Sequence, residues 1–268
     1  MRRQMGKELQ LLYAAAALLA LGAAFITFVL TEHTADYWSW AISPPISAAF
    51  LGGCYCAAVA LLWPLSRVET WAEGRLAATP VMTISLMLLA TTLIHWDRFD
   101  QDHLVFWLWF AAYVLVPPVL AVLVVKEISM PGQIVGSGEK LPWWAVAGLW
   151  LHGMVLLGVG VVMFLAPGTA ADFWPWQLSE LTSRALGSFI FGFGVNAVAA
   201  LFVNDLRLLR VPGFAYAVLG LAELVAVARY SGEVDFDTVG LLYVAFLVSA
   251  VLGGLTMIYL SRDSTFRA

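Results

Sequence analysis

The chain has 268 residues, of which 62% are hydrophobic and 12% charged, with 14 Lys and Arg against 18 Asp and Glu for a net charge of −4. A soluble domain is about 45–50% apolar and about 25% charged, so this composition excludes a water-soluble globule and makes the lipid bilayer the expected solvent. It also excludes nucleic acid as a partner, because no basic patch is present to hold it.

Met1 to Gln10 is basic and leads into an apolar run over about 11–31. That run is longer than the apolar core of about 7–15 residues in a secretory signal, so it reads as a retained spanning helix. Ala35-Asp36-Tyr37-Trp38-Ser39-Trp40 follows, and Pro44-Pro45 introduces a second run at 46–65. Cys54 and Cys56 lie inside it. Two residues apart on a helix, they face different directions. They fit neither a zinc pair nor a disulfide framework and read as small apolar filler. Further runs at 79–96 and 104–125 complete the first half. Pro131 to Pro142, with three glycines and two prolines, reads as a linker. Runs at 143–166, 184–203, 213–230 and 238–260 then follow. A spanning helix needs about 20 mostly apolar residues, so eight are expected. Their continuity argues for helices, since the strands of a membrane barrel alternate over about 10 residues.

Ala171-Asp172-Phe173-Trp174-Pro175-Trp176 repeats the earlier hexapeptide 136 residues later. Ser43 and Ser179, Leu51-Gly52 and Leu186-Gly187, and Ala112-Tyr113-Val114 and Leu242-Tyr243-Val244 are further echoes. The expected architecture is therefore all-α: two four-helix repeats, 1–130 and 143–268, joined by a linker at 131–142. An even number of spans per copy makes the repeats parallel, related by an axis along the membrane normal. Alternation of the loops puts eleven Lys and Arg on one side (Arg2, Arg3, Lys7, Arg67, Arg75, Lys126, Lys140, Arg207, Arg210, Arg262, Arg267) and only Arg98, Arg184 and Arg229 on the other. By the positive-inside rule both termini are cytoplasmic. No loop exceeds about 18 residues and no phosphate-cradling glycine motif occurs, so any chemistry belongs to the helix bundle or its rims.

Three groups of residues are candidates. The first is the aromatic hairpins, with Trp38, Trp40, Trp174 and Trp176, which read either as a headgroup-level belt or as the mouth of a ligand site. The second is His95-Trp96-Asp97-Arg98-Phe99-Asp100-Gln101-Asp102-His103. Here His95, Asp97, Arg98, Asp100 and His103 form a polar cluster that reads as a solvated turn or as an acid–base or metal site. Arg184, four residues from Glu180, is expected to pair with it. The third group is Glu223, His152 and Asn196, polar residues at depth in the second half. An ionisable residue inside a membrane is a functional candidate by default, while the competing reading is an interhelical hydrogen bond. A packed four-helix unit is expected to bring the three together.

The stretches Trp38-Ser39-Trp40-Ala41-Ile42, His95-Trp96-Asp97-Arg98-Phe99, Trp174-Pro175-Trp176 and Leu181-Thr182-Ser183-Arg184-Ala185-Leu186-Gly187 resemble those of a group of uncharacterised bacterial multi-spanning membrane proteins. The resemblance implies a bacterial inner-membrane location and carries no activity. The leading expectation from the residues is binding or transport of a small apolar or lipid-like ligand between the two repeats, opening toward the aromatic rim. The alternatives are an enzyme acting on a lipid or isoprenoid through His95, Asp97 and Asp100, or a non-catalytic subunit of a membrane-protein complex. A haem site is weaker, because His95 and His152 differ in repeat and depth. The residues name no cofactor and no resident metal.

Overall fold

A computed structural model describes residues 3–134 and 138–263. Arg2 and Arg267 of the basic set, and residues 135–137 of the linker, lie outside them. Among the described residues, eight helices are long and apolar enough to cross a membrane. They are α1 (Lys7–Ala24, continued by a π-helical turn, Phe25–Val29), α2 (Pro45–Leu65), α3 (Trp71–Ile94), α4 (Leu104–Ser129), α5 (Trp143–Leu165), α6 (Glu180–Val203), α7 (Arg210–Arg229) and α8 (Thr238–Asp263).

Four helices start three or more residues earlier than expected: α1, α3, α6 and α7. α3 begins at Trp71 rather than near residue 79 and runs through Pro80. Proline is tolerated in membrane helices because neighbouring groups satisfy the freed carbonyl, so Pro80 is no boundary. α6 begins at Glu180 rather than at Arg184, because Ser179 caps it: the Thr182 amide donates to Ser179 Oγ at 3.2 Å. Pro45 at the first position of α2 supplies the fixed φ that a helix start needs.

α2 is the most enclosed helix and α7 follows it, whereas α4 and α8 are the most exposed. The packing explains this order. Each hairpin packs on itself, α1 on α2, α3 on α4, α5 on α6 and α7 on α8. The crossing contacts then run between the halves, α2 along α7 and α3 along α6. Within a half the two hairpins scarcely meet: α2 touches α3 lightly and α6 touches α7 less still. Glycine permits the tightest approaches. A β-carbon at Gly52 would stand 2.6 Å from the Phe28 amide nitrogen, and one at Gly187 2.8 Å from Met163 Cβ. Helices come this close in membranes where small residues line the contact.

The bundle has two chemically distinct ends. At the basic end the Trp71 amide donates to the Arg3 carbonyl at 3.1 Å, the Arg3 amide donates to Gln133 at 3.2 Å, and Lys126 pairs with Glu8 at 2.8 Å. The segment before α1 is thereby tied to the α2–α3 loop and to the linker. At the aromatic end two equivalent backbone bonds hold the hairpins to the loops. The Asp100 amide donates to Ser39 at 2.9 Å, and the Asp235 amide donates to Pro175 at 2.7 Å.

Candidate functional site

The aromatic hairpins are interior rather than interfacial. Trp38, Trp40 and Trp176 are 3%, 4% and 5% exposed, and Trp174 is half-buried. Trp38 meets Trp109 edge-on at 5.4 Å, and Trp40 meets Phe99 at 5.2 Å. Trp174 packs on Tyr243 at 5.8 Å and on Phe50 at 5.7 Å. Trp176 donates from Nε1 to Ser47 Oγ at 2.9 Å. Such edge-to-face pairs add attraction beyond burial. The two hairpins are plugs that fill the aromatic end of the bundle. Neither the headgroup belt nor the open mouth expected of Trp38, Trp40, Trp174 and Trp176 describes them. The backbone turns each hairpin back into the bundle, and that inward turn is invisible in a hydropathy pattern.

The polar turn does not assemble into a site. A 3-10 turn at Trp96–Arg98 sends Phe99 inward and leaves Asp97, Arg98 and Asp100 exposed. Asp100 Oδ1 accepts from the Asp102 amide at 3.1 Å, a local turn bond. His103 is half-buried, and its Nδ1 meets no partner. His95 points elsewhere: Arg184 Nη1 donates to His95 Nε2 at 2.7 Å and also to Glu180 Oε2 at 3.1 Å. Partial burial, then the Arg184 guanidinium, holds the His95 imidazole below its ordinary range. A neutral ring accepting from arginine bridges the end of α3 to the start of α6. Among the described residues no three of His, Cys, Asp and Glu gather as a metal-ligand group.

The third group divides. His152 of α5 and Asn196 of α6 do come together, on the wall of a partly open cavity of about 230 Å³ between α5, α6, α7 and α8, with Ala57 and Leu61 of α2 also lining it. Tyr216 of α7 and Thr256 of α8 add two more polar side chains. His152 Nε2 shares a hydrogen bond with Ser249 Oγ at 2.9 Å, and its ring stands 5.6 Å from that of Tyr216. Asn196 Oδ1 and Tyr216 OH are buried without a partner. The remaining wall is apolar and small, with Gly148, Ala197, Gly213 and Gly253 among its residues. A β-carbon at Gly148 or Gly253 would meet nothing within 4 Å. The space therefore arises where the sequence supplies hydrogen in place of a side chain. The cavity occupies the half of the bundle toward the basic end, between the start of α5 and α7 and the end of α6 and α8. It does not lie beneath Trp38 and Trp174.

Glu223 lies outside this cavity. It is 1% exposed on the face of α7 that meets α2, one helical turn beyond Leu219, which lines the cavity wall. Neither carboxyl oxygen has a hydrogen-bond partner. Gly53 of α2 makes room for it, since a β-carbon there would stand 2.9 Å from Glu223 Cδ. Tyr216 and Glu223 lie on one face of α7 two turns apart, so depth along the helix, with Tyr216 in the cavity and Glu223 beyond it against Gly53, separates the three residues expected together. Thr256 and Ser249 carried no signal in the sequence beyond their place beside Gly253-Gly254.

The fold and this site define a multi-pass helical membrane protein with an amphiphile-sized cavity in its second half. No protein family, curated protein or solved structure matches the chain.

Proposed function

We propose that this is a protein of a bacterial inner membrane, with both termini cytoplasmic, that binds and carries a small amphipathic ligand in the cavity of α5 to α8. One observation carries the reading: a partly open, mostly apolar cavity of about 230 Å³ with His152, Asn196, Tyr216 and Thr256 in its wall. Pockets of this make, apolar with a few convergent polar groups, are the common form of small-molecule sites. The apolar wall suits the body of the ligand, and two unsatisfied polar atoms, Asn196 Oδ1 and Tyr216 OH, suit its hydrogen-bonding group.

A duplicated, parallel architecture supports the placement. The contacts α2 with α7 and α3 with α6 exchange under a two-fold operation, as do the bonds of Asp100 to Ser39 and of Asp235 to Pro175. The cavity then belongs to one repeat with its lid, α2, contributed by the other. On this orientation the basic end faces the cytoplasm, and the ligand enters from that half of the bilayer rather than from the aromatic rim.

The test is to purify the chain from membranes in mild detergent and identify co-purifying small molecules by native mass spectrometry. A bound amphiphile is expected on the unaltered chain and is expected to be lost from Gly148→Phe, which fills the cavity. An equal complement on both proteins would overturn the reading.

A further inference from the structure

The cavity is covered unequally on its two sides. Its inner side is lined by Ala57 and Leu61 of α2, both buried. Its outer side lies between α5 and α8, the two helices of the second half with most of their surface outside the bundle. These two scarcely meet. A hydrogen bond from His152 of α5 to Ser249 of α8, 2.9 Å long, spans the gap. In the first half the corresponding helices, α1 and α4, are joined at the basic end. Lys126 pairs with Glu8 at 2.8 Å, and the Gly6 amide donates to Glu127 Oε1 at 2.5 Å.

The register of α5 against α8 shows what lies along the gap. The helices are antiparallel, so four residues back along α5 match four residues forward along α8. From His152 and Ser249, one such step of about 6 Å toward the basic end reaches Gly148 and Gly253. A second step reaches Trp144 and Met257. All four line the cavity. Residues four apart stay on one helix face, so Gly148 and Gly253 are set opposite each other on the basic side of the His152 bridge. A β-carbon on either would meet nothing within 4 Å.

We propose that the cavity takes up its ligand sideways from the bilayer, through a portal between α5 and α8 whose lips are Gly148 and Gly253, and that the ligand is an uncharged alcohol dissolved in the lipid. This inference rests on the reading of the cavity as a ligand site and adds to it a route and a chemical class.

The wall selects the class. No Asp, Glu, Lys or Arg lines the cavity, and a charged group brought against an apolar wall without a counter-charge is costly. Among uncharged groups the hydroxyl fits best. Ser249 donates its hydroxyl hydrogen to the Phe246 carbonyl at 2.7 Å. A hydroxyl has one hydrogen, so Ser249 Oγ accepts from His152 Nε2, and in the neutral ring Nδ1 is left as an acceptor. Asn196 Oδ1 is a second acceptor, and it has no donor. A ligand that brings a donor hydrogen serves this wall, and Tyr216 OH, also without a partner, donates back to the ligand oxygen. A hydroxyl does both, whereas a ketone or an ester only accepts. An apolar cavity of about 150 Å³ holds benzene, so about 230 Å³ suits roughly ten heavy atoms, with any longer chain trailing through the portal into the lipid.

The experiment uses the full chain in lipid nanodiscs. The parent carries Cys54→Ala and Cys56→Ala, and Gly148→Cys and Gly253→Cys are added to it, since both positions have open space. The probe is tritiated 1-decanol, counted above the background of Gly148→Phe. Bridging the two new thiols with a lipid-soluble bis-maleimide before the probe is added is expected to block its uptake. Bridging them after loading is expected to trap it. Without the reagent, uptake and release are expected to match the parent. Decanoate, decylamine and 2-decanone are each expected to displace the probe at least about tenfold less well than unlabelled 1-decanol. Rates unchanged by the bridge, or thiols that are each labelled but never bridged, would overturn the portal. Displacement by any of the three competitors equal to that by 1-decanol would overturn the alcohol. In either case a molecule that co-purifies with the unaltered chain and is lost from Gly148→Phe would leave the ligand reading standing.

Discussion

The two halves of the molecule are built alike and filled differently. In the first half the space beside α1 and α4 is occupied by Tyr13 and Leu120, both fully buried, with Tyr13 bonded to Gly74. In the second half Leu149, 136 residues after Tyr13, lines the cavity instead. A buried hydroxyl-bearing ring in α1 stands against a leucine on the cavity wall in α5. The first half is packed at this level, and the second holds a cavity there.

The largest effect that tests this contrast is Leu120→Ala. It hollows the packed half and is expected to cost about 2–5 kcal/mol, the usual loss for a buried leucine whose site does not collapse. Thermal unfolding in detergent measures it, and a loss within error of Gly148→Ala in the hollow half would erase the distinction. Next is Gly148→Phe, expected to weaken ligand retention at least about tenfold, or about 1.4 kcal/mol, with folding intact because nothing stands within 4 Å of that β-carbon.

Smaller is the pair Trp176→Phe and Trp174→Phe. The first removes the bond to Ser47 and is expected to cost about 1 kcal/mol beyond lost packing. The second removes an Nε1 without a partner and is expected to cost less, and equal losses would contradict the plug geometry. The smallest effect concerns His95, whose imidazole is held below its ordinary range by burial and by Arg184. With the folded-state pKa depressed, the unfolded chain binds the extra proton first as pH falls, so this contribution is present above about 6.5 and is lost below it. His95→Gln is expected to flatten the dependence of melting temperature on pH in that range.

Much of the fold was legible. Eight continuous apolar runs set the helix count, and the charges flanking them set the loops, because hydrocarbon leaves a segment few alternatives to a helix. Pro80 and Arg184 misled the reading of two helix starts, since a proline inside lipid and a charge at a capped first turn are both compatible with helix. The candidate site was legible by half. His152 and Asn196 stood out as polar residues in apolar runs and do share a cavity. Glu223 stood out equally and shares a helix face with Tyr216, but it lies two turns farther along α7, where Gly53 of α2 packs on it and the cavity has ended. The cavity itself was not legible: Gly148 and Gly253 look in sequence like contact glycines, and only their surroundings reveal that nothing fills the place of the missing side chain.

The lateral pairing has a consequence for biogenesis. Because α2 lies along α7 and α3 along α6, while the two hairpins within each half scarcely touch, α2 and α3 leave the ribosome without part of the surface they pack against. Ser47 waits for Trp176 of the second half, and Gly53, which meets Glu223 of α7, waits in the bilayer until the last hairpin is inserted. Assembly is therefore completed by translation of the seventh and eighth segments, and a chain cut in the linker still has two pieces that are obliged to find each other.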